Sequence, residues 1–236
     1  MYPQSEGCCP EHLFNQAVLA RNIQEEEVRY AALFVFEREL RAKGFRLIAG
    51  VDEAGRGPLA GPVTAAAVIL PEDVHLPGLN DSKLIPARKR AALAERICVL
   101  ALAWAVGTAS VTEIDSINIR QASFLAMRRA LDGLPVKPDH IIVDGSAIPG
   151  FHLPQTGVIR GDAQIAAVAA ASVLAKVVRD KMMEELDVMF PAYGFCRNKG
   201  YPTPEHLEAL RKFGPTPFHR RSFAPVKYLL GSRRNR

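Results

Sequence analysis

The chain has 236 residues, of which 48% are hydrophobic and 23% are charged, with 17 glycines and 17 prolines. This composition is ordinary for a globular protein and excludes collagen-like, coiled-coil and wholly disordered classes. The 30 lysines and arginines exceed the 25 aspartates and glutamates, which gives a net charge of +5. That charge permits a polyanionic partner without requiring one.

Nothing in the sequence indicates a membrane or secreted protein. The longest uncharged apolar stretch, residues 97–112, falls short of the roughly 20 residues that a spanning helix needs and instead predicts a buried strand. Residues 1–15 lack the basic start and apolar core of a secretory signal. We therefore expect a cytoplasmic protein. Its cysteines show neither a CxxC pair nor zinc spacing and are expected to be free thiols: Cys8, Cys9, Cys98 and Cys196.

Hydrophobic periodicity predicts the elements of the first half of the chain. Residues 25–43 carry apolar side chains at helical spacing and are followed by Gly44, a natural helix stop. We expect an amphipathic helix there, ahead of the main body. The next elements are two strands joined by a Gly/Pro-rich connection, a helix that begins with a proline, and a third strand, over residues 46–51, 63–70, 86–96 and 98–111.

In the second half of the chain, strands alternate with helices. Thr112 and Asp115 resemble a capping box at the start of a helix that ends at Gly133. Gly161 and Asp162 open a long alanine-rich helix that runs to about residue 188. The remaining elements are two short strands, one further helix and a solvated basic tail, over residues 140–143, 158–160, 203–212 and 232–236.

This order of elements predicts an α/β fold in which a mixed sheet is flanked by helices. We expect three regions along the chain. They are an N-terminal extension with one helix (1–44), the α/β core (45–190), and a small, mainly helical C-terminal appendage with the basic tail (191–236). The last region is richer in aromatic, basic and proline residues than the core.

Four carboxylates stand where predicted strands end or a helix begins. Asp52 and Glu53 end the first strand. Asp144 ends the strand after the central helix, and Asp162 begins the long helix. Since α/β folds build their sites at such positions, all four acids could share one crevice. A cation would have to neutralise their repulsion. Mg²⁺ or Mn²⁺ suits all-oxygen ligands, and two ions about 4 Å apart would support nuclease or polymerase chemistry.

Each acid also has a simpler interpretation. Asp52 could pair with Arg56, and Asp144 could belong to an ordinary Asp-Gly turn. Asp162 could be a helix N-cap. Because consecutive strand residues point to opposite faces, Asp52 and Glu53 reach one site only if the strand bends or bulges there.

The glycine-rich segment 55–61 invites comparison with a dinucleotide-binding loop. We reject that interpretation because the two preceding acids would repel a pyrophosphate, Pro58 interrupts the pattern, and the chain continues as a strand instead of a helix. Glycine spacing alone is a weak indication of any site.

The string AGVDEAGRGPLAGPVTAAAVIL, residues 49–70, resembles the prokaryotic type 2 ribonuclease H family, ribonuclease HII. Six further motifs resemble that family in its order: LNDSK (79–83), EIDSINI (113–119), IIVDG (141–145), GDAQIAAVAAASVLAKVVRD (161–180), KGYPT (199–203) and HRRSF (219–223). The resemblance covers residues 46–226, and chance agreement of seven ordered motifs is not credible. Two positions depart from the pattern: Asn198, where a His often precedes KGY, and Ser146, where an Asn often follows VDG.

The resemblance implies a ribonuclease H-like fold and Mg²⁺- or Mn²⁺-dependent cleavage of the RNA strand in RNA/DNA hybrids. It also implies cleavage 5′ of a single ribonucleotide embedded in duplex DNA, which leaves 3′-hydroxyl and 5′-phosphate ends. Carried over motif by motif, the catalytic and metal-binding carboxylates are the same four acids: Asp52, Glu53, Asp144 and Asp162. The residues that would sense the ribose 2′-hydroxyl and the RNA-to-DNA junction are Gly55, Arg56, Gly57 and Tyr201.

Several further side chains are candidates for phosphate contacts: Ser82, Lys83 and Lys176, with Arg220 and Arg221 in the last motif. The alternative for each cation is a solvated or weakly paired side chain. Taken outside its motif, Tyr201 could be a buried core aromatic.

Two other functions stay open. A non-catalytic nucleic-acid binding module would keep the fold, but a binder of phosphates gains nothing from a negative site. A DNA-only nuclease would keep the acids but has no use for the glycine loop. We expect a monomer whose partners are RNA/DNA hybrids and ribonucleotide-containing DNA duplexes, with no membrane association.

Overall fold

The structure is a computed structural model that describes residue 21 and residues 24–233. Within these residues, one sheet contains the strands β1 (Ile48–Ala54), β2 (Val63–Ile69), β3 (Ala103–Ala109), β4 (His140–Asp144) and β5 (Gln155–Val158). The helices are α1 (Val35–Ala42), α2 (Ala87–Leu100), α3 (Val111–Asp132), α4 (Ala166–Met189), α5 (Phe195–Asn198), α6 (Pro204–Phe213) and α7 (Val226–Arg233), with a further helical stretch over residues 24–32. Short 3₁₀ turns lie at Gly161–Ala163 and Pro191–Tyr193.

The sheet has the strand order β3-β2-β1-β4-β5. The first three strands of the chain pair antiparallel. β4 then joins β1 in parallel, and β5 joins β4 in parallel. A mixed sheet flanked by helices confirms the predicted fold class. The parallel pairing also places the carboxyl ends of β1 and β4 side by side at one edge of the sheet.

Helices α4 and α3 cover opposite faces of the sheet. Along β2, Ala66 packs with α4, whereas Ala65 and Ala67 pack with α3, because successive strand residues point to opposite faces. The approach of α4 is close at Gly50, where a Cβ atom would lie 2.1 Å from the carbonyl carbon of Ala167. Only glycine fits at this position, so β1 and the first turn of α4 remain in backbone contact.

The C-terminal helices form a separate hydrophobic cluster. Met183 and Leu186, near the end of α4, pack with Phe195, Leu210 and Val226 from the last three helices. The predicted helical character of the C-terminal segment is therefore confirmed. The division of the chain into three regions is not tested by this packing and stays a prediction.

The prediction of one continuous helix over residues 25–43 is wrong, because the helix breaks at Leu33. The backbone carbonyl of Leu33 accepts a hydrogen bond from the N–H of Ala166 at the start of α4. The carboxylate of Glu37, on α1, accepts from the next amide, that of Ala167, at 2.8 Å. The N-terminal segment thus satisfies two of the amides that a helix leaves free at its N-terminus.

The boundaries around β3 also differ from the prediction. The helix before it continues to Leu100, so the strand is shorter than residues 98–111. It is an edge strand, and Trp104 on it is 40% exposed instead of buried. The capping box of α3 is formed by Ser110 and Glu113, earlier in the chain than predicted. The apolar run is therefore divided between a helix end and a half-exposed strand.

The long helix begins later than predicted. Gly161 and Asp162 form a separate 3₁₀ turn, and α4 begins after Ile165. Asp162 is therefore not the N-cap of α4. The short strand predicted at residues 158–160 lies earlier, because β5 ends at Val158.

No helix in the described part of the chain is long and apolar enough to span a membrane. The predictions for residues 1–20, including the first two cysteines, and for residues 234–236 fall outside the described residues. Cys98 and Cys196 are free thiols, as expected. Residues 232–233, which the prediction placed in the basic tail, lie within α7.

Glu37 introduces a pH dependence into the stability of the fold. Its side chain is buried, and burial raises the pKa of its carboxyl to about 7, against the opposing effects of the Ala167 N–H and the charge of Arg41. Because this folded-state pKa lies above the usual value of 4.5, the carboxyl contributes its stabilisation in full below pH 4.5. The contribution is lost as the pH rises through 7.

Glu37→Gln keeps an acceptor for the Ala167 N–H but cannot ionise. We expect the free energy of unfolding of this variant to exceed that of the parent by roughly 2 kcal/mol at pH 8, with no such gain at pH 4. Urea unfolding at the two pH values measures the difference. Glu39→Gln, which changes an exposed carboxylate on the same helix, is the control. Parallel pH profiles for Glu37→Gln and the parent would contradict the prediction.

Candidate active site

Three of the predicted acids lie at adjacent strand ends. β1 pairs in parallel with β4 up to the residues that precede Asp52 and Asp144. Glu53 follows directly on β1. Because neighbouring parallel strands end at the same edge of a sheet, these carboxylates project into one region of the molecule.

The fourth acid, Asp162, reaches the same region from the 3₁₀ turn that precedes α4. The carboxylate of Asp144 accepts a hydrogen bond from the N–H of Gly161 at 2.7 Å. This bond ties the turn to the end of β4. Asp162 therefore stands next to Asp144 although it belongs to neither strand.

Asp52 and Glu53 lie on opposite faces of the sheet. Asp52 lies opposite Ala66, on the face covered by α4. Glu53 lies opposite Ala65, on the face covered by α3. The pairing continues through Ala54 without a bulge. Both side chains nevertheless line one cleft, because they lie near the end of the strand and reach it from the two faces.

Burial and mutual repulsion disfavour the ionised forms of these acids. Burial, and then the charges of Glu53 and Asp144, raise the pKa of Asp52 well above its usual range. Burial also raises the pKa of Glu53, against the opposing charge of Arg56. The pKa of Asp162 is raised by burial and then by the charge of Asp144. The site therefore favours the binding of positive charge.

Two cations of the chain offset part of this negative charge. Arg56 Nη1 lies 3.1 Å from Glu53 Oε1, and Lys83 Nζ lies 3.7 Å from Asp162 Oδ2. The simpler interpretation that Asp52 pairs with Arg56 is therefore wrong. The cationic side chains are 53% and 76% exposed, so solvent screens much of their effect.

The chemistry of the four carboxylates suits a hard divalent cation. As placed, no three His, Cys, Asp or Glu side chains among the described residues form a group that could hold a metal ion, so the acids would have to draw closer to bind one. They offer only oxygen ligands, which Mg²⁺ and Mn²⁺ prefer. The raised pKa values of Asp52 and Asp162 reflect burial first and then the charges of the neighbouring acids. A divalent cation at this edge would relieve that repulsion.

The acids open into a cleft of about 460 Å³. Its walls contain three acids and all four predicted junction residues: Asp52, Glu53, Asp144, Gly55, Arg56, Gly57 and Tyr201. Gly57 faces the Tyr201 ring, and a Cβ atom at residue 57 would lie 3.4 Å from Tyr201 Cε1. Tyr201 is 46% exposed, which excludes the alternative of a buried core aromatic.

A buried arginine that the sequence analysis did not assign to the site holds the glycine loop from one side. Arg179, on α4, is 1% exposed and donates to the carbonyl groups of Ala60, Pro62 and Lys199. Gly55 has a φ of +97°, and a Cβ atom there would lie 2.0 Å from Arg179 Nε. Only glycine combines this conformation with this approach.

A second buried arginine holds the loop from the other side. Arg220 is 0% exposed and donates to the carbonyl groups of Gly55, Arg56 and Gly61 at 2.5–3.1 Å. Its expected role as a phosphate contact is therefore wrong, whereas its neighbour Arg221 is exposed. Burial, and then the charge of the other buried arginine, lowers the pKa of Arg220 to about 9.

The acidic strand edge thus lies beside a glycine loop that two buried arginines hold in place. The family model described as ribonuclease HII matches residues 49–226. The chain belongs to the ribonuclease HII family. It is 56% identical over 198 residues to ribonuclease HII of Moorella thermoacetica, with 84% of this chain and 96% of that protein covered. It is 54% identical to ribonuclease HII of Myxococcus xanthus, with 90% and 75% covered.

The fold of the chain is similar to the crystal structure of the ribonuclease H2 from Pyrococcus horikoshii OT3. The TM-score is 0.69 at 25% sequence identity, with 81% of this chain and 100% of that chain covered. The predicted family, and with it the ribonuclease H-like fold and the assignment to hydrolytic endonucleases, is confirmed.

Three of the five candidates for phosphate contacts, Ser82, Lys83 and Lys176, lie in the wall of the cleft but differ in exposure and in their present partners. Ser82 is buried, with its Oγ 2.9 Å from Ser172 Oγ. Lys176 donates to Asp180 at 2.6 Å. Lys83 is exposed beside the acids. The Ser172 hydroxyl in turn opposes the rise in the pKa of Asp52, so Ser82 contacts a side chain that supports this acid.

We expect Arg220→Gln to lower the free energy of unfolding by roughly 3 kcal/mol, because several buried carbonyl groups of the ribonuclease HII glycine loop lose their donor. Arg221→Gln replaces an exposed side chain one residue further on and should change stability by about 0.5 kcal/mol or less. Urea unfolding of the parent and both variants measures the two effects. Equal losses in the two variants would show that Arg220 does not hold the loop.

Proposed function

We propose that this protein is a divalent-metal-dependent endonuclease that cleaves the RNA strand of RNA/DNA hybrids and cuts 5′ of single ribonucleotides in duplex DNA. The products would carry 3′-hydroxyl and 5′-phosphate ends. The observation that carries the proposal is the presence of residues 55–57 and Tyr201 in the same cleft as the acids. Such a cleft can bind the ions that promote phosphodiester hydrolysis and also contact the adjacent sugar.

In this proposal Asp52, Glu53, Asp144 and Asp162 hold Mg²⁺ or Mn²⁺, as two ions. When bound, such ions supply Lewis-acid activation of the attacking water and neutralise charge on the leaving oxygen. The chain itself keeps the carboxylates in place. Asp52 Oδ1 accepts from the Glu53 N–H at 2.7 Å, and Asp144 Oδ1 accepts from the Gly161 N–H at 2.7 Å.

The glycine loop is the part of the site that would distinguish RNA from DNA. The ribose 2′-hydroxyl both donates and accepts hydrogen bonds, and it is the group that DNA lacks. Gly55 and Gly57 place no side chain between the backbone and the cleft, so backbone groups can approach the ribose. The Tyr201 ring, next to Gly57, can stack on the deoxyribose that follows the ribonucleotide.

Three cations would bind the phosphates on either side of the scissile bond. Arg56, Lys83 and Lys176 line the cleft. Arg56 and Lys83 are the more exposed of the three, so they can reorient towards a phosphate with little loss of existing contacts. They would supply the sequence-independent part of substrate binding.

Two other functions would use parts of this site. A non-catalytic binding module would need the cations but would be weakened by the acids. A DNA-only nuclease would need the acids but neither the glycine loop nor Tyr201. The cytoplasmic location and the monomeric state stay predictions.

The proposal is tested by strand scission of a DNA duplex that carries one ribonucleotide, beside an all-DNA duplex and an RNA/DNA hybrid. With Mg²⁺ or Mn²⁺ we expect cutting 5′ of the ribonucleotide and within the hybrid, no cutting of the all-DNA duplex, and no cutting in EDTA. Equal cutting of the two DNA duplexes would favour the DNA nuclease. Binding without scission in either metal would favour the binding module.

Asp52→Asn should reduce the rate of scission by roughly 10²- to 10³-fold or more. Its free energy of unfolding should stay equal or rise, because the change removes a buried charge that repels Glu53 and Asp144. Asp73→Asn, which alters an exposed carboxylate outside the cleft, is the matched control. Scission by Asp52→Asn at the parental rate would refute the assignment of the carboxylates.

A further inference from the structure

Two buried histidines of the C-terminal segment take no part in the chemistry proposed above. His206, on α6, is 0% exposed and His219 is 1% exposed. Their Nε2 atoms lie 3.0 Å apart. A contact of this length between two ring nitrogens is a hydrogen bond only if one nitrogen carries a proton and the other a lone pair.

The outer ends of the pair determine which nitrogen carries the proton. The backbone N–H of Thr216 donates to His219 Nδ1 at 2.9 Å, so this nitrogen must carry a lone pair. The proton of a neutral His219 is therefore on Nε2, from which it is donated to His206 Nε2. The proton of His206 is then on Nδ1, which lies 2.8 Å from the carbonyl oxygen of Tyr201, a group that can only accept. The four residues form one directed chain of hydrogen bonds.

The surroundings keep both rings neutral. Tyr193 and Phe195 pack around them, with ring centroids 5.2–6.3 Å from those of the histidines. Burial lowers the pKa of His206, and burial followed by the charge of His206 lowers the pKa of His219 to about 4. A second proton on His219 would face the Thr216 N–H, and a second proton on His206 would face the Nε2–H of His219, so either would bring two donors together.

The chain of hydrogen bonds ends at the backbone of the residue that faces the glycine loop. The Tyr201 carbonyl also accepts from the N–H of Thr203 at 2.8 Å, and the Tyr201 N–H donates to the carbonyl of Asn198 at 2.9 Å. One residue earlier, the carbonyl of Gly200 accepts from the N–H of Leu59 in the glycine loop at 2.8 Å. The backbone on both sides of the Tyr201 ring is thus bonded, while the ring itself projects into the cleft.

We propose that His206 and His219 are positioning residues for Tyr201. The chain from Thr216 through both rings fixes the Tyr201 carbonyl, and thereby the ring opposite Gly57, and so sets the preference of the enzyme for a ribonucleotide followed by DNA. This inference rests on the proposed role of Tyr201. It assigns to two residues without exposed surface a part in substrate selection.

The protonation pattern has a test that does not depend on activity. In protein labelled with ¹⁵N at histidine, long-range ¹H–¹⁵N correlation spectra at pH 7 distinguish the two neutral tautomers and the imidazolium. We expect His206 to carry its proton on Nδ1 and His219 on Nε2. The opposite tautomer or an imidazolium at His206 would overturn the inference.

Two substitutions at His206 separate its two contacts. His206→Asn places an amide N–H where Nδ1 was, so the donor to Tyr201 is kept and the contact to His219 is lost. His206→Gln places an amide oxygen where Nε2 was, so the contact to His219 is kept and the donor to Tyr201 is lost. Each variant breaks one buried hydrogen bond, so a purely structural role for His206 predicts similar effects of the two changes.

We expect His206→Gln to lower kcat/KM on a duplex with a single ribonucleotide by about tenfold. On a long RNA/DNA hybrid, where no junction has to be recognised, its kcat/KM should change by about twofold or less. His206→Asn should retain most of the preference for the single ribonucleotide, although thermal unfolding shows a similar loss of stability in both variants. Equal substrate preference in His206→Gln and His206→Asn would overturn the positioning role.

Tyr201→Ala distinguishes failure of this inference from failure of the proposed function. If Tyr201→Ala loses the preference for the single ribonucleotide and His206→Gln retains it, the ring is a sensor and the histidines do not position it, which overturns the inference. If Tyr201→Ala itself retains the preference, the role of Tyr201 fails, and the inference built on it is overturned as well. Loss of preference in both variants, with His206→Asn near the parent, is the expected result.

Discussion

The carbonyl groups of the glycine loop point into the protein, and two buried guanidinium groups are the donors that meet them. Arg179 comes from α4 and Arg220 from the segment before α7, so the loop is bonded to two parts of the chain at once. Burying two cations costs free energy that is recovered only while their hydrogen bonds stay formed. The loop is therefore held in one conformation. The proposed recognition of a sugar by the backbone of this loop depends on such rigidity, because Gly55 and Gly57 have no side chains that could adapt to the substrate.

Three of the four carboxylates line the same cleft as the glycine loop and place negative charges close together there. Strand alternation places Asp52 and Glu53 on opposite faces, which separates two charges that are adjacent in sequence. The exposed cations Arg56 and Lys83 lie next to the acids and reach into solvent. The cleft thus has negative charge at the strand ends and mobile positive charge at its opening. This arrangement suits a polyanion whose phosphates must come close to the four carboxylates without being repelled.

The acids and the main strands were predictable because their signals are local. β1, β2 and β4 are apolar runs buried between two helical layers, and three of the acids lie at the ends of β1 and β4. The junction residues were assigned through the resemblance to the ribonuclease HII motifs, and their roles stay predictions. For β1, β2 and β4, the periodicity of each segment and the residues that interrupt it were sufficient to place the strand.

The residues that support the site were not predictable, because their partners are distant in the chain. Arg220 bonds to carbonyl groups 159–165 residues away, so its sequence neighbours suggest an exposed phosphate contact. His206 and His219 have no metal-ligand or catalytic spacing, and their role appears only when α6 and the following loop are brought together. The first helical stretch ends at Leu33, whose carbonyl accepts a hydrogen bond from the Ala166 N–H on α4. The hydrophobic periodicity of the segment gives no sign of this distant contact.

The folding unit of this protein extends beyond the part that the family motifs mark. The family match begins at residue 49, yet Leu33 and Glu37 supply acceptors to the first amides of α4, and Leu40 packs with Val168 on that helix. A fragment trimmed to the matched residues would leave those amides facing solvent, directly after the turn that carries Asp162. Residues that no motif identifies thus support the helix that follows Asp162, and a minimal expression fragment has to begin before the first helix.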